Sequence, residues 1–369
     1  MDIVTLILFI LGFVLLVGGA ELLVRGASTL AIAIGISPLV VGLTVVAYGT
    51  SAPELAVTVN AALAGQSDLG LGNVIGSNIA NILLVLGMAA ATGTLVVQPQ
   101  LIRQEIPLMI FASLAVLVMG LDGAIGRVDG LILFSGAIIY TVYVVRQSRQ
   151  NMKAEQNDSA AAFTQKQALK NNPKKVLLQL GMIVAGLALL VTGADWLING
   201  ATKIAELLGI SKLVIGLTVV AVGTSLPEIA TSVIAGVRGQ RDIAVGNAVG
   251  SNIFNILLVL GFAAVLAPAG VLVSRTALTF DIPIMIAVAL TTLPIFFTDS
   301  RIDRWEGVLF LMYYAAYTVY LFLNATSHNA LDEFQFAMTC FVLPITALSL
   351  ILLTIKAIRY PKREKIILE

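Results

Sequence analysis

The sequence predicts an all-α membrane protein. It is built from two inverted five-helix repeats, a ten-helix core, with an extra helix at the C-terminus. Three observations carry this. Of 369 residues, 58% are hydrophobic and 12% charged, against about 45–50% and about 25% in a soluble domain. Mean hydropathy is +0.97. Residues 215–261 repeat residues 41–87 without a gap, with 30 of 47 positions identical.

Roughly 214 apolar residues, at about 20 per spanning helix, fill roughly ten or eleven spans. Long apolar runs broken by short polar or Gly/Pro patches place these at 3–30, 38–64, 70–92, 104–121 and 129–147, then at 175–204, 212–237, 243–267, 278–298 and 305–325, and finally at 335–357. They are too long for barrel strands and lack two-residue alternation. The polar stretch 148–174 (RQSRQNMKAEQNDSAAAFTQKQALKNN) shows no apolar period and reads as a flexible linker on the cytoplasmic side. The expected organisation is therefore a first repeat over 1–147, the linker over 148–174, a second repeat over 175–325, and an extra helix with a basic tail over 326–369. The start carries Asp2 and no basic residue before Arg25, unlike a secretory signal.

Eleven spans put the termini on opposite sides. With the N-terminus outside, 18 of the 22 Lys and Arg fall on the inner side, as the positive-inside rule requires. A soluble enzyme, a disordered chain and a nucleic-acid binder are excluded by composition. One cysteine, Cys340, allows no internal disulfide, and one histidine, His328, argues against a histidine metal site or triad.

The repeat runs further than its best-matched stretch: VGGAELLVRGA (17–27) echoes in VTGADWLINGA (191–201), and EIPLMI (105–110) in DIPIMI (281–286). The unit is thus about five helices. Five is odd, so the copies enter the membrane from opposite faces, which is the architecture of secondary transporters with a site near the midplane. Scaffolding alone would keep apolar and small residues. Here polar residues match too: Thr50/Thr224, Ser51/Ser225, Glu54/Glu228, Ser77/Ser251 and Asn81/Asn255.

Glu54 and Glu228 lie in apolar runs, where an ionised carboxylate costs about 2.5–3.5 kcal/mol on insertion scales. Brought together near a pseudo-twofold axis they repel, and a cation between them removes the penalty. A divalent ion matches their joint charge. Thr50 and Ser51 stand four and three residues before Glu54, one helix face, with Ala47 a turn earlier. Pro53 and Pro227 lack an N–H, so the carbonyls of residues 49 and 223 lose their helical partner and the helices kink. Asn73, Ser77 and Asn81 form a second stripe at four-residue spacing, repeated as Asn247, Ser251 and Asn255. All candidate ligands are oxygens, which suit hard cations such as calcium and exclude soft metals. Sodium has a similar radius and competes for overlapping positions.

Other features read as structure. Gly72/Gly76 and Gly246/Gly250 form GxxxG packing patterns. Asn73 and Asn247 serve equally as ligands or as bridges between helices. Glu21 and Asp195, a second matched acidic pair lying near Arg25 and Asn199, read as structural hydrogen-bonding residues, and Glu105 and Asp281 as helix-start caps.

GTSAPEL (49–55) and GTSLPEI (223–229), each followed by GN-x-x-GSN-I-x-N-ILLVLG, resemble the two alpha repeats of the calcium/cation antiporter superfamily, above all its prokaryotic sodium/calcium exchanger branch. The resemblance covers roughly residues 1–325. It implies a ten-helix core, an N-terminus outside a prokaryotic cell membrane, and alternating access in which sodium drives calcium the other way. Carried over, the ligands are the Ala47 carbonyl, Thr50, Ser51, Glu54, Ser77 and Asn81, with the Ala221 carbonyl, Thr224, Ser225, Glu228, Ser251 and Asn255. The first helices of each repeat, with their Gly-rich stretches, are implied to slide across the core. Some members carry Asp at the place of Asn255; a neutral residue there leaves the sodium-to-calcium ratio open and argues against potassium co-transport. The eleventh span lies beyond the family core.

The expected activity is sodium/calcium antiport, with calcium, sodium and membrane lipid as partners, no resident cofactor, no enzyme chemistry and no nucleic acid. Proton/calcium antiport on the same fold is the alternative, and a passive channel is the competitor from another class. Oligomeric state is not set by the sequence.

Overall fold

The computed structural model describes residues 3–156, 173–209 and 221–342, with residues 215, 219, 344, 348 and 355 standing alone. The first copy comprises α1 (Ile3–Ile34), α2 (Pro38–Thr50), α3 (Ala52–Leu63), α4 (Ser67–Thr92), α5 (Leu101–Asp122) and α6 (Arg127–Gln156). The second comprises α7 (Pro173–Leu207), α8 (Ala221–Thr224), α9 (Leu226–Val237), α10 (Arg241–Leu266), α11 (Ile282–Asp299) and α12 (Arg304–Ala325). A short helix α13 (Leu331–Ala337) follows.

By length and composition, seven of the described helices can each cross a membrane, and the bent pair α2 and α3 adds an eighth. Of the expected span 212–237, the structure describes α8 and α9, and most of 212–220 lies outside the described residues; the expected span 278–298 appears as a π-helical turn, Ala277–Asp281, running into α11. Of the expected eleventh span, 335–357, the structure describes helix through Val342, and most of the remainder lies outside the described residues.

The polar stretch 148–174 departs from expectation at both ends. Helix α6 continues to Gln156 and α7 already begins at Pro173. The reason is propensity: Arg, Gln, Lys, Ala and Glu are polar yet favour helix, so the rod outruns the apolar window. Proline at the start of α7 costs no hydrogen bond, because a first-turn N–H has no helical acceptor.

The two copies pack reciprocally. A Cβ on Gly19 would come within 2.7 Å of the Gly186 carbonyl, and one on Gly12 within 2.9 Å of the Gly193 carbonyl. The 174-residue offset maps Gly12 onto Gly186 and Gly19 onto Gly193. Contacts therefore swap under the repeat, and the residue order shows α1 and α7 running antiparallel. That combination is a local two-fold axis across the helix direction, the geometry of an inverted repeat. The connecting segments follow the same rule. Strand β1 (Leu95–Val96) pairs antiparallel with β4 (Arg301–Ile302), and β2 (Ala124–Ile125) with β3 (Val271–Leu272), so each short sheet joins the two copies.

Burial sorts the helices by role. In α4 and α10, 78% of the apolar window is buried, against 28% in α1 and 22% in α7. The first two, with α2, α3 and α9, form the centre; the last two lie across it as an outer pair. Small residues let the centre close up: a Cβ on Gly246 would sit 2.8 Å from the Leu39 carbonyl, and one on Gly250 2.8 Å from Leu43 Cα. This is the close packing expected of the GxxxG pattern there, whereas Gly72 and Gly76 do not follow it, since a Cβ on either meets nothing within 4 Å.

Candidate cation site

The central helices break where the sequence places proline. Helix α2 stops at Thr50, Ser51 adopts φ −79° and ψ 5°, and α3 begins at Ala52 with Pro53 in its first turn, bent by 46°. Ser225 repeats this between α8 and α9 with φ −86° and ψ 4°. The kink expected at Pro53 within the span 38–64 is therefore a full break, at which Thr50 closes one helix and Glu54 lies in the first turn of the next. Proline removes the donor that would continue the ladder and disfavours α geometry in the residue before it. The carboxylates therefore sit in first turns, and Thr50 and Thr224 at helix ends. The Ala47 carbonyl accepts the Ser51 N–H at 3.0 Å and faces the Thr50 hydroxyl at 3.5 Å. An oxygen with two lone pairs keeps capacity beyond one such bond.

Almost all the predicted side chains are buried in the interior. Ala47, Thr50, Ser51, Glu54, Ser77 and Asn81 are buried, as are Ser225, Glu228, Ser251 and Asn255. Thr224 is half-buried at the end of α8, the helix whose first residue is Ala221. The Ser77 hydroxyl lies beside the Glu54 carboxylate, and the Thr50 hydroxyl beside Glu228. Glu54 and Glu228, one from each copy, stand within electrostatic reach of each other. Asn81 and Asn255 each open a π-helical turn, Asn81–Leu86 and Asn255–Leu260, a distortion that recurs at functional sites.

These polar groups go unmet within the protein. Both carboxylate oxygens of Glu54 and of Glu228 lack a hydrogen-bond partner, and so do the Ser51, Ser225 and Ser251 hydroxyls and the Asn81 and Asn255 amides. Folded proteins leave few such atoms, because each costs desolvation without return. Buried together with two carboxylates, and with no Lys or Arg paired to these among the described residues, they form a donor set suited to a cation. No group of three or more His, Cys, Asp or Glu occurs among the described residues, so a soft-metal cluster is absent there.

Two asparagines brace the carboxylate turns. Asn73 donates to the Glu54 carbonyl at 3.3 Å and to the Thr58 hydroxyl at 2.9 Å. Asn247 donates to the Glu228 carbonyl at 3.4 Å and to the Ser232 hydroxyl at 3.0 Å, and accepts the Thr50 hydroxyl at 3.0 Å. Of the two readings the sequence left open for these asparagines, the bridge is the one observed. Thr58 and Ser232 were not singled out by sequence; their signal is a matched small hydroxyl residue four positions after each Glu. Asn78 and Asn252 reach the sulfurs of Met285 and Met109, at 3.5 and 3.3 Å, each across the copies.

The other acidic pairs go elsewhere. Glu21 pairs with Arg25 and Arg238, as a structural role requires, while Asp195 is exposed. Glu105 is not a helix-start cap. It is buried within α5 after a π-helical turn, makes no capping bond, and accepts the Gln100 amide at 2.9 Å. The apolar ladder begins at Leu101, before the proline, so Glu105 falls inside the helix. Asp281 sits likewise at the end of the turn Ala277–Asp281, with helix α11 following directly.

The sequence matches the sodium/calcium exchanger protein family over residues 4–146 and 178–323. This chain belongs to the sodium/calcium exchanger family. The sodium/calcium exchanger MaX1 of Methanosarcina acetivorans is 33% identical over 307 residues, covering 76% of this chain and 87% of that one. The inner membrane protein YrbG of Escherichia coli is 39% identical over 250 residues, 67% of this chain and 74% of its own. The solved sodium-calcium exchanger NCX_Mj superposes with a TM-score of 0.72 at 33% identity, over 85% of this chain and 97% of that chain. The chain is thus a multi-pass membrane protein of exchanger fold, a cation/calcium antiporter by family.

Proposed function

We propose that this exchanger moves calcium against sodium across a prokaryotic cell membrane by alternating access, with its N-terminus outside. The observation that carries it is the pair of buried carboxylates, Glu54 and Glu228, contributed by opposite copies, within electrostatic reach of each other and without a hydrogen-bond donor among the described residues. Two carboxylates at membrane depth need two compensating positive charges. One calcium supplies both, and a set of monovalent ions supplies them in turn. Oxygen ligands in a flexible shell suit calcium's six to eight coordination.

In this reading the Ala47 and Ala221 carbonyls, Thr50, Ser51, Ser77, Asn81, Thr224, Ser225, Ser251 and Asn255 complete the calcium and sodium positions around the two Glu. Helices α1 and α7, packed glycine to carbonyl, slide over the centre to expose the site to one side and then the other. The name of MaX1 and the sodium and calcium soaks of NCX_Mj support the pairing of ions by analogy. The basic residues gathered on one side support the orientation.

The test is flux in sealed vesicles holding the purified protein. An imposed sodium gradient drives radioactive calcium uptake, and Glu54→Gln abolishes it. Calcium flux driven by a pH gradient without sodium replaces this reading with proton/calcium antiport. Conductance far above carrier rates in a planar bilayer replaces it with a channel.

A further inference from the structure

Thr50 carries one hydroxyl proton, and besides the long contact to the Ala47 carbonyl at 3.5 Å two acceptors compete for it. On one side is the Asn247 amide oxygen, 3.0 Å away; on the other is the Glu228 carboxylate, beside which the same hydroxyl lies. A hydroxyl has one donor and two lone pairs, and it rotates to suit its surroundings. When its proton points at Glu228, the carboxylate is partly satisfied and the lone pairs turn away from it. When its proton points at Asn247, those lone pairs face the carboxylate and any cation held there. Thr50 comes from the first copy, and Asn247 and Glu228 from the second.

Asn247 is fully buried and has little freedom to let go. Its amide nitrogen is committed to the Glu228 carbonyl and to Ser232, at 3.4 and 3.0 Å, which fixes its oxygen toward Thr50. The same nitrogen bonds tie the first turn of α9, and with it Glu228, to α10. One side chain thus sets the hydroxyl rotor of one copy and the backbone of the opposite carboxylate.

We infer that Asn247 is a positioning residue for exchange: by taking the Thr50 proton, it turns the Thr50 lone pairs toward the cation and keeps the Glu228 carboxylate free of a competing donor. It touches no ion itself. The inference rests on the proposed ligand role of Thr50 and Glu228. Without Asn247, the hydroxyl swings onto Glu228, and each cation must displace that bond before it binds. Affinity falls while the moving parts, α1 and α7, stay as they were. The signature is a raised KM for calcium with a maximal rate close to that of the parent protein.

The experiment is sodium-gradient-driven calcium uptake in vesicles, with KM and maximal rate measured for Asn247→Ala, Asn247→Asp, Thr50→Val and the double variant Thr50→Val/Asn247→Ala, and Glu228→Gln as reference. Loss of one hydrogen bond of this kind predicts a KM about three- to tenfold higher for Asn247→Ala. Asn247→Asp keeps an acceptor oxygen but loses the nitrogen that aims it and adds a carboxylate near Glu228, so its KM does not return to the parental value. The double variant raises KM by less than the two single penalties combined, because part of the Asn247 effect runs through that hydroxyl. An unchanged KM in Asn247→Ala, a fall confined to maximal rate, or penalties that add in the double variant overturns the inference while the ligand reading stands. Undiminished transport by Glu228→Gln overturns the ligand reading, and the inference with it. Calcium-induced tryptophan fluorescence or calorimetry on the detergent-purified variants separates weakened binding from failure to fold.

Discussion

Arg238 grips Glu21 through one edge of its guanidinium, Nη2 at 2.8 Å from Oε1 and Nε at 2.9 Å from Oε2. Glu21 also takes the Nε of Arg25, and Ser28 donates to the Gln240 side chain at 3.2 Å. The outer helix α1 is thereby tied to the turn that joins α9 to α10 in the other copy. The repeat does not preserve this tie. Its equivalents, by the 174-residue offset, are Asp195 for Glu21 and Ala64 for Arg238. Alanine cannot pair, and Asp195 has no ion pair among the described residues.

If exchange swaps the roles of the copies, the ion pair belongs to only one of the two access states. Removing it shifts the balance toward the other. Arg238 is 53% exposed, and exposed pairs are worth about 0.2–1 kcal/mol, so Arg238→Ala changes the state ratio by up to about fivefold. Distances between spin labels on α1 and on the 238–240 turn measure it. The reversed pair Glu21→Arg/Arg238→Glu returns the ratio toward its starting value. High salt mimics the alanine variant in the parent protein. A ratio that ignores both salt and charge reversal rules the tie out.

The glycine contacts between α1 and α7 make a sharper mechanical prediction. Gly19 and Gly186 face each other so closely that an added Cβ would stand 2.7 Å from the opposing carbonyl in either direction. Backbone cannot yield as a flexible side chain does, so Gly19→Ala and Gly186→Ala separate the helices, at about 1–3 kcal/mol of overpacking. The adjacent Gly18 meets nothing within 4 Å. Gly18→Ala therefore leaves both thermal stability and calcium flux near parental values, while Gly19→Ala lowers both. Equal behaviour of the two variants contradicts the sliding interface.

The legible parts of this molecule were those written twice. Glu54 and Glu228, Ser77 and Ser251, Asn81 and Asn255 stood out because a polar residue kept at equal spacing in two apolar runs has few structural explanations. Periodicity also located the helices. It failed where polarity and helix propensity diverge, as at Arg149 to Gln156, which read as loop and fold as helix. It failed again at Glu105, where a proline suggested a helix start although the ladder had begun at Leu101. The break at Ser51 was visible as Pro53, but its position was not, because the residue that gives way depends on which carbonyls the neighbouring helices can satisfy. Which of two asparagines in a stripe faces a ligand and which faces a helix is a matter of rotation about the helix axis by less than a residue. Asn247 therefore looked the same as Asn255 until α10 was placed against Thr50.

The final prediction links the site to stability. A ligand that binds only the folded protein stabilises it by mass action, about 2.7 kcal/mol at a hundredfold excess over Kd. Here the effect is larger in kind than an added contact, because the ion also relieves the mutual repulsion of Glu54 and Glu228 and meets oxygens that the protein leaves unpaired. Calcium added to the detergent-purified protein raises its melting temperature, and sodium raises it at higher concentration and weakens the response to calcium. Glu54→Gln removes the repulsion without the ion. Its melting temperature in chelator is equal to or above that of the parent, and calcium no longer shifts it. A variant that is less stable in chelator and still responds to calcium places the ion elsewhere.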